Sequence, residues 1–188
     1  MSSEISVKER LLETASRLFY RQGYNLTGIN QILAESGSAI GSLYRHYPSK
    51  VDLLMAYLEK ANEIYCAALK AFIGKYRMPR NKLLGLFDFH VEFQVNEDFV
   101  GCNFMKINAE IARQEPKVEA LVQAHKRNVR ALVEGLVVQL DSKGTDGLSN
   151  GQLTDSIYLL LEGAMVDSTI HRDSGFIQRA KAIVNKLI

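Results

Sequence analysis

An all-α fold is what this sequence predicts, and three observations predict it. Apolar residues recur at three- and four-residue spacing along nearly the whole chain; no sustained alternating run of β-branched residues occurs; and the three prolines stand at breaks between periodic segments. A chain of 188 residues with 47% hydrophobic content has room for a small domain and a larger one, each with a core. It shows no internal repeat and no low-complexity segment.

The first helix is expected from about Ser6 to Gln22, with Val7, Leu11, Ala15, Leu18 and Phe19 on one stripe and Lys8, Glu9, Glu13, Arg17 and Arg21 elsewhere. A second, short helix follows from about Gly28 to Glu35, with Thr27 as its side-chain N-cap and Ile29, Ile32 and Leu33 forming an apolar face. Gly37 should end it, because a glycine accepts the left-handed backbone that closes a final helical turn. The chain then reverses into a third helix, about Ala39 to His46. Ile40, Leu43 and Tyr47 are its only available anchors, which leaves Gly41, Ser42, Tyr44, Arg45 and His46 as a small, hydroxyl-rich and basic outer surface. Two short helices joined by a glycine turn and packed under a first helix form a helix-turn-helix layout. Its outer surface suits a DNA groove better than a core.

Pro48-Ser49-Lys50-Val51-Asp52 reads as the next helix start, with Ser49 as N-cap and Asp52 in capping-box position, and the helix continues to about Lys75. Beyond Met78-Pro79 the periodic segments are about 80–95, 102–114, 116–140, 153–171 and 175–187. Asn96-Glu97-Asp98 closes one, Pro116 opens another in its first turn, and the polar stretch from Ser142 to Gly151 is a loop. Nine helices result.

Phe19, Gly23, Tyr24, Thr27, Ile32, Gly37, Gly41, Ser42, Leu43, Tyr44, Tyr47, Ser49, Lys50 and Leu53 form a spaced set over roughly residues 8–55. This set resembles the N-terminal domain of the tetracycline-repressor (TetR) family of transcriptional regulators. The remaining two thirds match only in layout. The resemblance implies a DNA-binding domain at residues 1–50 and a helical ligand-sensing and dimerisation domain at 51–188. It implies a palindromic double-stranded DNA operator as partner, and a repressor released from that operator by a small-molecule inducer. It also implies a homodimer through the last two helices. The stripes Ile157, Leu160, Leu161, Ala164 and Met165, and Ile177, Ala180, Ile183, Val184 and Leu187, fit that interface, with Gly163 and Ala164 permitting close approach. The same stripes would equally close the core of a single chain.

The candidate DNA-binding residues are Thr27, Ser38, Ile40, Gly41, Ser42, Tyr44, Arg45, His46 and Lys50. Lys50 is informative on physical grounds, since a cation in the first turn of a helix opposes the macrodipole unless an anion lies nearby, and a phosphate would supply that anion. The family's helix-4 lysine points the same way. Tyr44 and His46 match family positions that touch the phosphate backbone, whereas Tyr47 matches an aromatic packing position. Ser42 and Arg45 are candidates for base-edge or phosphate contact, arginine favouring guanine. Two departures from the family pattern stand out. Ser38-Ala39 occupies positions that usually hold an apolar residue and a capping serine, so either Ser38 caps the third helix early or its start is weakened by roughly 1 kcal/mol. Gly28 stands where a hydroxyl residue often touches phosphate.

In the second domain Tyr65, Phe87, His90, Val91, Phe104, Met105, Asn108, His125, Tyr158 and Glu162 are candidate lining residues of a mostly apolar ligand pocket, against the plain alternative of core packing. Cys102 follows Gly101 at a helix start, where the dipole favours a thiolate, so it is either a sensor thiol or an ordinary buried cysteine.

Residues 1–50 carry Lys8, Arg10, Arg17, Arg21, Arg45 and Lys50 against Glu4, Glu9, Glu13 and Glu35, so the whole formal charge of +2 belongs to the small domain. That footprint is weak, and affinity for DNA would have to come from placed contacts doubled in a dimer. The N-terminus is charged and amphipathic, with neither a signal peptide's apolar core nor a membrane span, and Cys66 and Cys102 lack paired spacing; a cytoplasmic protein with reduced thiols is expected. His90, His125 and His171 show no metal-ligand spacing, no glycine-rich phosphate loop occurs and no nucleophile grouping is present. Neither an enzyme nor a cofactor or metal is expected. The alternatives are a helical-bundle enzyme, or a protein-interaction module whose helix-turn-helix is only structural.

Overall fold

The computed structural model describes residues 6–140 and 147–188. Among these it has nine α-helices and one π-helical turn. They are α1 (Val7–Gln22), α2 (Ile29–Ser36), α3 (Ile40–His46), α4 (Lys50–Gly74), α5 (Pro79–Asn96), α6 (Asn103–Ile107), the π turn (Asn108–Ala112), α7 (Pro116–Val137), α8 (Asn150–His171) and α9 (Gly175–Leu187). Half of the loop expected from Ser142 to Gly151, residues 142–146, lies outside the described residues, and its last two residues, Asn150 and Gly151, belong to α8.

Local chemistry explains the boundaries. Ser6 caps α1 in a reciprocal box with Glu9, and Ser149 caps α8 in the same way with Gln152. Ser49 Oγ accepts the Asp52 N–H at 3.1 Å and donates to its carboxylate at 2.7 Å, which fixes the start of α4. Gly37 ends α2 in the left-handed region at φ 61°, as its placement requires. Two expected caps are absent. Gly28, not Thr27, is the N-cap of α2, and Ala39 is the N-cap of α3; neither helix receives a side-chain cap bond. Ser38 does not cap α3 early, since its hydroxyl lies 3.4 Å from Ser36 O. The segment expected as one helix over 102–114 is divided, because its second half is wound as the π turn.

Packing divides the chain into two units. The first contains the residues up to Glu63 together with Asn103–Gln123, and the second contains Ile64–Cys102 and Ala124–Ile188. This is a division by packing, distinct from the functional boundary expected at residue 50. Helices α4 and α7 contribute residues to both units.

In the first unit Leu11, Ala15, Phe19, Ile32, Leu43, Leu53 and Leu54 are essentially inaccessible. Phe19 packs on Tyr24 and Tyr57, with ring centroids 5.6 and 5.8 Å apart. In the second unit α5, α8 and α9 pack around Leu83, Leu86, Phe87, Leu153, Ile157, Leu161, Ile177 and Val184. This core takes up most of the stripes expected at a dimer interface. Ile157, Leu161, Ala164, Ile177, Ala180 and Val184 are buried within the single chain, and Leu160, Met165 and Leu187 pack against the same core. The exposed apolar residues of α8 lie elsewhere, at Leu159, Val166 and Ile170, and on α9 only Ile183 of the expected stripe is exposed.

Candidate nucleic-acid interface

The outer face of α3 is built by what its inner face buries. Leu43 is fully buried and Tyr47 nearly so, with the Tyr47 hydroxyl donating to Lys8 O of α1 at 3.3 Å. Those two anchors turn Gly41, Tyr44, Arg45 and His46 outward, with Ser42 half-buried between the faces. Ile40 is not the third anchor expected of it: at the first position of the helix, beyond the reach of the core, it is 55% exposed. Tyr44, one turn later, is 47% exposed.

Thr27 has no place on this surface. Its side chain is completely buried and its hydroxyl donates to Gly23 O at 2.6 Å, so it holds the turn between α1 and α2 together. Lys50 is more engaged than a solvated clamp would be. Its Nζ donates to Tyr24 O at 2.6 Å and lies 3.9 Å from the Tyr24 ring centroid, a cation–π contact. Partial burial lowers its pKa and the nearby Glu110 carboxylate opposes that shift. An ammonium carries three donors, so the bond to Tyr24 O leaves others for a phosphate oxygen.

Two residues that sequence reasoning passed over, Glu110 and Lys106, steady the same turn. Glu110, in the π turn, accepts the Asn25 N–H at 2.7 Å; Lys106, in α6, donates to Tyr20 O at 2.6 Å. Gly23 lies against Glu110 so closely that a Cβ there would meet Oε1 at 2.5 Å, with φ at +88°. Gly23 and Tyr24 were legible as members of the spaced set that carries the family resemblance.

Among the candidate ligand residues, Tyr65, His90 and His125 come together in the second unit. The Tyr65 hydroxyl lies 3.0 Å from His90 Nε2, His90 Nδ1 lies 2.6 Å from Leu86 O, and the His125 ring meets Tyr65 edge-on at 5.1 Å. A carbonyl only accepts, so Nδ1 carries the proton and Nε2 accepts from Tyr65. Burial pulls His90 down to about 4, and the Lys126 charge adds to the effect. Burial likewise takes His125 to about 4, and it pushes the Tyr65 phenol up. Glu162 pairs with Lys126 at 2.6 Å, a partner not foreseen. Burial works against the Lys126 charge, but Cys102, Glu162 and Tyr158 together hold its pKa above the ordinary lysine value. Phe87 and Val91 belong to the core of this unit. Phe104, Met105 and Asn108 fall in the other unit, Phe104 in its core and the other two exposed. Cys66 and Cys102, both half-buried, are not joined by a disulfide. Among the described residues no three metal-ligating side chains cluster, and no helix is long and apolar enough to cross a membrane.

Residues 11–57, which hold α2, α3, the start of α4 and most of α1, match the family model described as bacterial regulatory proteins, tetR family. A solved structure of a TetR-family transcriptional regulator from Streptomyces coelicolor, SCO4454, superposes over 96% of this chain and 89% of its own, with a TM-score of 0.84 and 26% identity. Residues 11–57 carry a TetR-family DNA-binding region, and the chain shares the fold of TetR-family regulators along its length. Two relatives from Bacillus subtilis (strain 168) align with it. The uncharacterized HTH-type transcriptional regulator YxaF is 53% identical over 49 residues, 26% of each chain. The HTH-type transcriptional regulator LmrA is 33% identical over 122 residues, 63% of this chain and 65% of its own. The matches thus span less than two thirds of these relatives' lengths. These proteins are described as transcriptional regulators, and the TetR family is one of regulators rather than enzymes.

Proposed function

We propose that this chain is a cytoplasmic, homodimeric transcriptional repressor that binds a palindromic operator through α3 and leaves it when a small molecule occupies the second unit. One observation carries the reading: Leu43 and Tyr47 secure α3 to a three-helix core while Ile40, Gly41, Tyr44, Arg45 and His46 stay exposed, a small basic surface on the helix that the family model covers. Tyr44, His46 and Lys50 supply phosphate contacts, and Ser42 and Arg45 are placed for base edges or phosphate. Tyr65, His90, His125 and Glu162 are the candidate ligand contacts, and α4, which contributes to both units, is the covalent route between them.

The test is a binding titration of the full chain against DNA flanking its own gene at several salt concentrations. A discrete site should be bound, and Lys50→Ala should flatten the dependence of log affinity on log salt by about one unit per half-site. Absence of any preferred site would overturn the reading; an unchanged slope would remove Lys50 from the phosphate contacts while leaving the rest.

A further inference from the structure

We propose that the tip of α3 reads the 5-methyl groups of thymine, with Ile40 as the principal contact and Ala39 beside it. The inference rests on α3 being the helix that enters the groove.

In helix-turn-helix docking the N-terminal residues of the second helix face the base edges. Here those positions are Ala39, the N-cap, and Ile40, the first helical residue, and both are exposed. Neither side chain can form a hydrogen bond, so polar readout of a base edge is not available to them. Ile40 is 55% exposed on the outer face of α3, whereas Leu43 of the same helix and Ile32 of α2 are completely buried; Leu26, at 78%, is the other strongly exposed aliphatic residue of this domain. Tyr44 continues the apolar strip one turn along, and Arg45 and His46 follow beside it. An apolar strip bordered by the Arg45 guanidinium matches a polyanion with one apolar feature. In the major groove only thymine offers that feature, its C5-methyl group. At Gly41 a Cβ would have no heavy atom within 4 Å, so the outer surface at this point is bare backbone, which lets the helix seat deeply enough for Ile40 to reach the base edges. The Ser38-Ala39 departure then has a use: a capping serine would place a hydroxyl where the alanine methyl lies.

The experiment uses the full chain and duplexes that it enriches from a randomised pool. Each thymidine of an enriched duplex is replaced in turn by deoxyuridine, which removes the methyl and leaves every hydrogen-bonding group. At one thymine, or two adjacent ones, per half-site the replacement should weaken binding about fourfold, the effect of one buried methyl. Ile40→Ala should bind the thymine and uracil duplexes alike. Because the deoxyuridine series alters only the DNA, it stands even if the variant folds poorly. Wild-type affinity unchanged at every replaced position, or an Ile40→Ala protein that keeps the full difference, would overturn the inference while leaving α3 as a groove reader. If no duplex is enriched, the reading of α3 falls and this inference falls with it.

Discussion

His90 shows how much one buried side chain can impose on the protein around it. Its ring is held neutral because burial penalises the charged form and Tyr65 fills the Nε2 lone pair, which together outweigh the Nδ1–H bond to Leu86 O that favours the charged ring. In the unfolded chain the same ring titrates near 6.5. Below that pH the unfolded state takes up a proton that the folded state refuses, so stability is full above 6.5 and declines as the pH falls toward 4. Below about 4 both states are protonated and His90 adds no further change. For His90 the loss between pH 7.5 and pH 5 is roughly 2 kcal/mol, and His125 acts in the same direction. Urea denaturation across that window should show the midpoint falling with pH, and His90→Gln, whatever its own cost, should make the decline shallower. A wild-type midpoint that is flat from pH 7.5 to 5 would mean that the rings take up protons as readily in the folded protein as in the unfolded chain.

At the scale of elements, the turn between α1 and α2 is the best example of a feature held from a distance. Gly23 sits at φ +88°, with the Glu110 carboxylate where a Cβ would go. Gly23→Ala should therefore cost about 1–3 kcal/mol from backbone strain, plus a steric part that exists only while Glu110 is present. In a Glu110→Ala background the alanine at position 23 should be tolerated better, and denaturant melts of the four proteins would measure the coupling. An identical cost in both backgrounds would show that the carboxylate simply moves aside. This contact also marks what the sequence could and could not disclose. Gly37 and Ser49 were readable as a stop and a cap because the groups they satisfy lie within five residues of them. Thr27 had the look of a cap, yet tertiary burial claimed its hydroxyl for Gly23 O. Lys106 and Glu110 gave no sign at all, since their partners Tyr20 and Asn25 are 86 and 85 residues away in the chain. The π winding that presents Glu110 leaves no trace in apolar spacing.

For the molecule as a whole, the deciding element is α8, which is apolar on two sides. The resemblance implied a dimer interface on the last two helices, and spacing matched Ile157, Leu160, Leu161, Ala164 and Met165 to it, because periodicity finds an apolar face without saying which neighbour covers it. The structure gives that face to the chain's own core and leaves Leu159, Val166 and Ile170 exposed, at 65%, 48% and 66%, with Gly163 in open space between them. The residues at 159, 163, 166 and 170 follow helical spacing, so they form one stripe, and an apolar stripe left in water is the signature of an interface. If a second copy covers it, Leu159→Glu and Val166→Glu should give monomers that remain folded, because neither side chain supports the core. Leu161→Glu should instead unfold the second unit, since that residue is 1% exposed. Sedimentation would report the assembly state and circular dichroism the fold. The monomeric variants should also lose most affinity for a palindromic duplex, because a single half-site contact is weak without the second. A Leu159→Glu protein that still sediments as a dimer would place the interface on another surface.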